Sequence, residues 1–163
     1  MKTQIWAHRG ASAYAPENTL EAFRLAAEMG ADGVELDVQL SRDGELVVAH
    51  DETIDRVSNG TGYIKDYTLA QLKELSFNRL FPAFKDARIP TLLEVYELLK
   101  PAGLTVNVEL KTGIILYPEI EEKVLALTAS MGMEDRVIYS SFCHPSLVRL
   151  KELNSGLKKI GRA

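Results

Sequence analysis

The ionisable side chains that fall within apolar runs of this sequence cluster at the ends of those runs. His8 and Arg9 close the run Gln4–His8, and Glu35 and Asp37 lie within Gly33–Leu40. His50 and Asp51 close Glu45–His50, Glu109 and Lys111 close Thr105–Leu110, and Ser140 and Ser141 close Arg136–Ser140. Glu35 and Asp37 are two residues apart, so on a strand they face the same way. Taken singly, a carboxylate on a strand is most often an exposed edge charge. Glu35, Asp37 and Glu109 together, inside otherwise apolar strands, are a different matter: like charges gathered in one place repel, and buried charges are paired or coordinate a metal. Ligation by oxygen alone favours Ca2+ or Mg2+ over zinc.

His8 and His50 stand at matching strand ends beside these carboxylates, where imidazoles suit general acid–base work near neutral pH. Arg9 follows His8, and its planar fork suits two phosphate oxygens better than it suits a lone surface partner. Lys111 is a weaker case of the same kind. The third histidine, His144, lies past a strand end before Pro145 and is assigned a structural place. Glu17 and Asn18 open a helix; Asn18 is read as mainly structural, although a helix N-terminus also helps hold an anion.

Those positions depend on an alternation of strand and helix patterns. The strands are the runs above. Helix-period stretches begin at Pro16, with Leu20, Phe23, Ala27 and Met29 on one face, and recur after Thr68, over Thr91–Leu99, Tyr117–Met131 and Pro145–Leu153. Lys158–Ile160 reads as the start of a sixth strand. Such alternation predicts an α/β fold built on a parallel sheet. One link is exceptional. Ser41-Arg42-Asp43-Gly44 is too short for a parallel crossover, so the second and third strands pair as a hairpin or the link is irregular. A hairpin would set Asp37 beside His50.

The 163 residues fit one domain with a core of its own, and 46% hydrophobic with 26% charged residues is an ordinary globular balance. A net charge of −4 gives no basic footprint for nucleic acid. The single cysteine, Cys143, excludes an internal disulfide and a Cys-rich metal site. The first ten residues lack the apolar stretch of a secretory leader and no segment is long enough to span a bilayer, so a cytoplasmic protein without stable membrane insertion is expected.

Taken in order, His8-Arg9-Gly10, Pro16-Glu17-Asn18-Thr19, Glu35-Leu36-Asp37, His50-Asp51, Glu109-Leu110-Lys111 and Ser141-Phe142 resemble the glycerophosphodiester phosphodiesterases. Each piece is weak alone; the ordered set is specific. The resemblance implies a TIM-type (β/α)8 barrel with a small insertion after the third strand, about Glu52–Ile89, within a single barrel domain over residues 1–163. It implies hydrolysis of glycerophosphodiesters, such as glycerophosphocholine or glycerophosphoethanolamine, to sn-glycerol 3-phosphate and an alcohol. It also implies a Ca2+ or Mg2+ ion on Glu35, Asp37 and Glu109, His8 and His50 as the acid–base pair, and Arg9 and Lys111 on the substrate phosphate.

A barrel of this type has eight strands and typically about 250 residues, whereas five strands and the start of a sixth are legible here. The expectation is therefore a partial barrel whose first and last strands are open edges and whose interior face is a large exposed apolar patch, a chain that self-associates or takes a complementing chain. Two functional readings follow: an active phosphodiesterase, or a catalytically silent metal-binding fragment that assembles with another chain.

Overall fold

The computed structural model describes residues 3–157 and the backbone of residues 160–161. Strands β1 (Trp6–His8), β2 (Gly33–Leu40), β3 (Leu46–Val48), β4 (Thr105–Leu110), β5 (Val137–Ser140) and β6 (Ile160–Gly161) alternate with helices α1 (Leu20–Glu28), α2 (Leu69–Glu74), α3 (Leu92–Ala102), α4 (Ile120–Ser130) and α5 (His144–Leu153). The sheet runs β1-β2-β4-β5-β6, parallel at each pairing. The expected boundaries of β2 and β4 agree with those observed. Lys158 and Lys159, the first residues of the expected last strand, lie outside the described residues; its continuation, Ile160–Gly161, pairs with β5.

β3 is the exception to the parallel order. It pairs antiparallel with β2, Val38 opposite Val48 and Leu40 opposite Leu46. The short link is therefore a hairpin, closed by Ser41 N–H to Glu45 O at 3.0 Å and by the Ser41 hydroxyl to Asp43 Oδ1 at 2.6 Å. The register corrects one expectation: Ala49 N–H donates to Asp37 O at 3.0 Å, so Ala49 and not His50 stands opposite Asp37.

Strand alternation divides the sheet into two faces. Val34, Leu36 and Val38 of β2, Val106, Val108 and Leu110 of β4, and Val137 and Tyr139 of β5 join the main core, covered by Phe23 and Ala26 of α1, Leu92, Val95, Tyr96 and Leu99 of α3, and Ile120 and Val124 of α4. On α1 the buried side chains are Ala22, Phe23 and Ala26. Met29, expected on that face, is 60% exposed, because it is the C-cap and lies beyond the last turn. Thr68 and Thr91 cap α2 and α3 with complete capping boxes to Gln71 and Glu94. A smaller apolar cluster, with Val47, Ile54, Ile64, Leu72, Phe77 and Ile89 among its members, lies within and beneath residues 52–89.

The opposite face corrects the expectation of an apolar patch. By register it carries Trp6, His8, Gly33, Glu35, Asp37, Gln39, Thr105, Asn107, Glu109, Ile138 and Ser140. On β1, β2, β4 and β5, only Trp6 and Ile138 among the described residues give it a large apolar side chain; on β3 Val47, opposite Gln39, adds another, which is buried in the smaller apolar cluster. The apolar residues of these strands occupy the positions turned towards the helices, and the alternate positions are polar. Gly33 is required where it stands: a Cβ there would sit 2.9 Å from both Thr105 O and the Trp6 ring. Among the described residues no helix is long and apolar enough to cross a membrane.

Candidate active site

The C-terminal ends of β1, β2 and β4 converge because the strands are parallel and in close register: His8 lies opposite Glu35, and Asp37 opposite Glu109. Glu35, Asp37 and Glu109 each present a carboxylate oxygen, and the three oxygens lie within 4.8 Å of one another. Asp37 is 1% exposed and Glu109 8%. Burial, with the charges of Asp37 and Glu109 adding to it, pushes the Glu35 carboxyl up to about 7 against the hydrogen bond it accepts from Arg9 N–H. Three carboxylates crowded at one place and largely withdrawn from solvent are a donor set that a divalent cation relieves. The spacing fits as well, since two oxygens across a Ca2+ ion at about 2.4 Å each are separated by about 4.8 Å.

Two cationic side chains compensate this charge in part. Lys111 Nζ donates to Glu109 Oε1 at 3.1 Å and stands 3.8 Å from Asp37 Oδ1. Arg9 Nε stands 3.6 Å from Asp37 Oδ2, and Arg9 Nη1 donates to Glu17 Oε1 at 3.0 Å. The chain turns sharply to place Arg9. Arg9 takes φ 58 and Gly10 φ 77, and a Cβ on Gly10 would lie 2.8 Å from the backbone of Ala22. Arg9 N–H offsets its left-handed conformation by donating to both Glu35 O at 3.0 Å and Glu35 Oε2 at 3.1 Å.

His8 stands at the rim, its Nε2 3.7 Å from Glu35 Oε2 and its side chain 70% exposed. His50 leaves the hairpin next to Ala49, and its Nδ1 lies 2.7 Å from Asp51 Oδ1. His144 opens α5 and is exposed.

Three further residues hold this arrangement. Asn18, read from sequence as mainly structural, is 3% exposed and donates through Nδ2 to Asp37 Oδ2 at 2.9 Å. It also occupies a left-handed conformation, φ 56, which asparagine tolerates better than most residues. Gln39 is fully buried, and its Nε2 faces the carbonyls of Ala49 at 2.9 Å, His50 at 3.3 Å and Asp51 at 2.7 Å. Tyr117, from the loop before α4, donates to Gln39 Oε1 at 2.8 Å and fixes which way that amide points. The signal for Gln39 is present in the sequence: it continues the i, i+2, i+4 series begun by Glu35 and Asp37. Neither Tyr117 nor Arg56, which donates to both Glu17 and Asp51, carries such a signal.

A sequence model of the family described as glycerophosphoryl diester phosphodiesterase matches residues 8–161. A glycerophosphodiester phosphodiesterase of Caldanaerobacter subterraneus subsp. tengcongensis is 52% identical over 159 residues, covering 97% of this chain and 65% of the relative. One of Bacillus altitudinis is 46% identical over 153 residues, covering 93% and 62%. Among solved structures, a glycerophosphodiester phosphodiesterase of Agrobacterium tumefaciens superposes with a TM-score of 0.88 at 38% identity, covering 97% of this chain and 66% of that one. A phosphodiesterase of Oleispira antarctica, solved with its product sn-glycerol-3-phosphate, superposes with a TM-score of 0.82 at 35% identity, covering 98% and 64%. The sheet described above is thus part of a TIM-type barrel, and the chain spans 60–65% of the length of the first curated relatives it matches.

Proposed function

The chain belongs to the glycerophosphoryl diester phosphodiesterase family, and on that premise we propose that it hydrolyses glycerophosphodiesters such as glycerophosphocholine or glycerophosphoethanolamine to sn-glycerol 3-phosphate and an alcohol, with Ca2+ or Mg2+ as cofactor. The observation that carries this reading is the meeting of Glu35, Asp37 and Glu109 within 4.8 Å, beside two cationic side chains, with His8 3.7 Å from Glu35 and His50 next to Ala49, which stands opposite Asp37.

Glu35, Asp37 and Glu109 would hold the cation, which when bound supplies Lewis-acid polarisation of a phosphoryl oxygen and lowers the pKa of a bound hydroxyl. Asn18 keeps one oxygen of Asp37 oriented. Arg9 and Lys111 stand where they also meet the substrate phosphate, and the Arg9 fork offsets charge that develops on its oxygens. One of His8 and His50 takes the proton of the attacking hydroxyl, which belongs to water or to the neighbouring glycerol carbon. The other delivers a proton to the departing alkoxide oxygen as the P–O bond breaks; where the glycerol hydroxyl attacks, the product of that step is a cyclic phosphate, which water then opens to the glycerol phosphate with the two roles exchanged. Asp51 at His50 Nδ1 leaves Nε2 for the reacting proton.

Residues 1–163 act in this reading as one barrel domain, with 52–89 an insertion whose apolar side chains pack in one cluster with Val47 and Ala49. The protein works in the cytoplasm on a small-molecule substrate. Among the described residues its outer strands β1 and β6 each pair on one side, and a second copy or a complementing chain pairs with them. The alternative of a silent metal-binding fragment accounts for the carboxylates but leaves the histidines and Arg9 without a task.

The test is turnover of glycerophosphocholine and glycerophosphoethanolamine by the purified chain in Ca2+, in Mg2+ and in chelator. Release of glycerol phosphate that needs the cation is expected. Specific metal binding without turnover, alone and with a complementing chain, would favour the silent reading.

A further inference from the structure

One side chain of the segment after β3 reaches back to two residues of the site. Arg56 Nε donates to Asp51 Oδ2 at 2.7 Å. Its Nη1 and Nη2 donate to Glu17 Oε2 and Oε1, each at 2.8 Å. Both carboxylates are otherwise engaged: the second oxygen of Asp51 lies 2.7 Å from His50 Nδ1, and Glu17 Oε1 also accepts from Arg9 Nη1 at 3.0 Å. An unbroken path of hydrogen bonds therefore runs from His50 through Asp51, Arg56 and Glu17 to Arg9.

We propose that Arg56 is a positioning residue, which fixes the Asp51 carboxylate so that His50 is held as its Nδ1–H tautomer, and fixes Glu17 so that the Arg9 guanidinium stays beside Asp37. The catalytic consequence rests on the acid–base role given to His50 above; the positioning itself does not.

The physical reason lies in the chain geometry. His50 and Asp51 are consecutive at a bend of the chain beyond β3, and the backbone there does not by itself choose the Asp51 rotamer that faces the ring. A freely rotating Asp51 would sample its other rotamers on a nanosecond scale. Holding it against the ring needs a partner on its far side, and Arg56 occupies that place. The guanidinium donates in fixed directions within one plane. Its Nε meets Asp51 while its two Nη atoms meet Glu17, so a rotation that frees one carboxylate loses the other. Burial acts to raise the Asp51 carboxyl, but the hydrogen bonds from Arg56 and His50 outweigh it and hold the group below its ordinary range. An ionised carboxylate only accepts, so the imidazole nitrogen facing it carries the proton. The Arg56 side chain is 41% exposed, and exposed ion pairs contribute little to stability. The expected effect of losing it is therefore local to the site.

Long-range 1H–15N correlation spectra of the histidine side chains in the whole chain test this, recorded above the ordinary histidine titration range, with His50 assigned from H50Q. The wild-type His50 pattern should be that of an Nδ1-protonated ring. R56K and R56Q should shift it towards the Nε2–H tautomer. D51N should reproduce that shift, and adding R56Q to D51N should add nothing to it. The His8 and His144 patterns and the thermal melt should stay as in wild type. An unchanged His50 pattern in R56K overturns the proposal, as does a D51N variant that leaves the ring unaffected. If R56Q melts below the working temperature, R56K alone decides. The readout needs no turnover: a chain that hydrolyses nothing yet shows the coupled tautomer shift ends the phosphodiesterase reading and leaves Arg56 in its place.

Discussion

Replacing Glu35 by Gln should stabilise the metal-free protein at alkaline pH. The Glu35 carboxyl is raised from its ordinary 4.5 to about 7, chiefly by burial and then by Asp37. At about 1.36 kcal/mol per pH unit, its ionised form is disfavoured in the fold by on the order of 3 kcal/mol. Only 14% of the side chain is exposed, so solvent screens little of this. Between 4.5 and about 7 the folded protein holds a proton that the unfolded chain has released, and stability then falls as pH rises. Below this window the group is neutral in both states and costs nothing; above it the full penalty remains. Gln keeps the shape and an oxygen to accept Arg9 N–H, without the charge. Urea melts in chelator at about pH 4 and about pH 8 should show little difference between E35Q and wild type at the lower pH, and a gain on the order of 3 kcal/mol for E35Q at the higher. Added Ca2+ should reverse the order, because the cation rewards the charge that the metal-free fold penalises. If E35Q is no more stable than wild type at about pH 8 in chelator, the carboxylates are not packed against one another in the way described.

Other outcomes follow from the same geometry. E109Q should weaken Ca2+ and Mg2+ binding and abolish hydrolysis; calorimetry showing unchanged affinity would remove Glu109 from the ligand set. H8A and H50A should each slow turnover by about a hundredfold or more while divalent affinity stays near wild type, and loss of the metal in either variant would make that histidine a ligand instead. Y117F leaves Gln39 Oε1 without its donor, so chemical denaturation should show a loss of about 1–3 kcal/mol, the cost of an unsatisfied buried acceptor; no loss would mean that the amide is held without Tyr117. Light scattering should report a species larger than the monomer, since among the described residues β1 and β6 each pair on one side, and a cooperative melt from a strict monomer would show that these edges need no partner.

Much of this arrangement is local and therefore legible in the chain. The spacing of Glu35 and Asp37 places them on one face of a strand whatever the strand packs against. Apolar alternation marks Gly33–Leu40 and Thr105–Leu110 to the residue, and Thr91 with Glu94 encodes its own cap. The meeting of His8, Glu35, Asp37 and Glu109 follows once the strands are parallel, because in-register parallel strands bring their C-terminal ends together. What the chain does not carry locally is the choice between contacts distant in sequence. The register that puts Ala49 opposite Asp37 is set by the hairpin turn and differs by one residue from what spacing suggests. Arg56 reaches Glu17 across 39 residues, and Tyr117 reaches Gln39 across 78; neither has a periodicity to announce it. The polar interior face is, by contrast, written in the alternation of Glu35, Asp37 and Gln39 with Val34, Leu36 and Val38, and the packing of α1, α3 and α4 adds only that the apolar side is the covered one. A hydrogen bond between distant segments depends on the whole path of the backbone between them, so its partners become known only when the fold has closed that path.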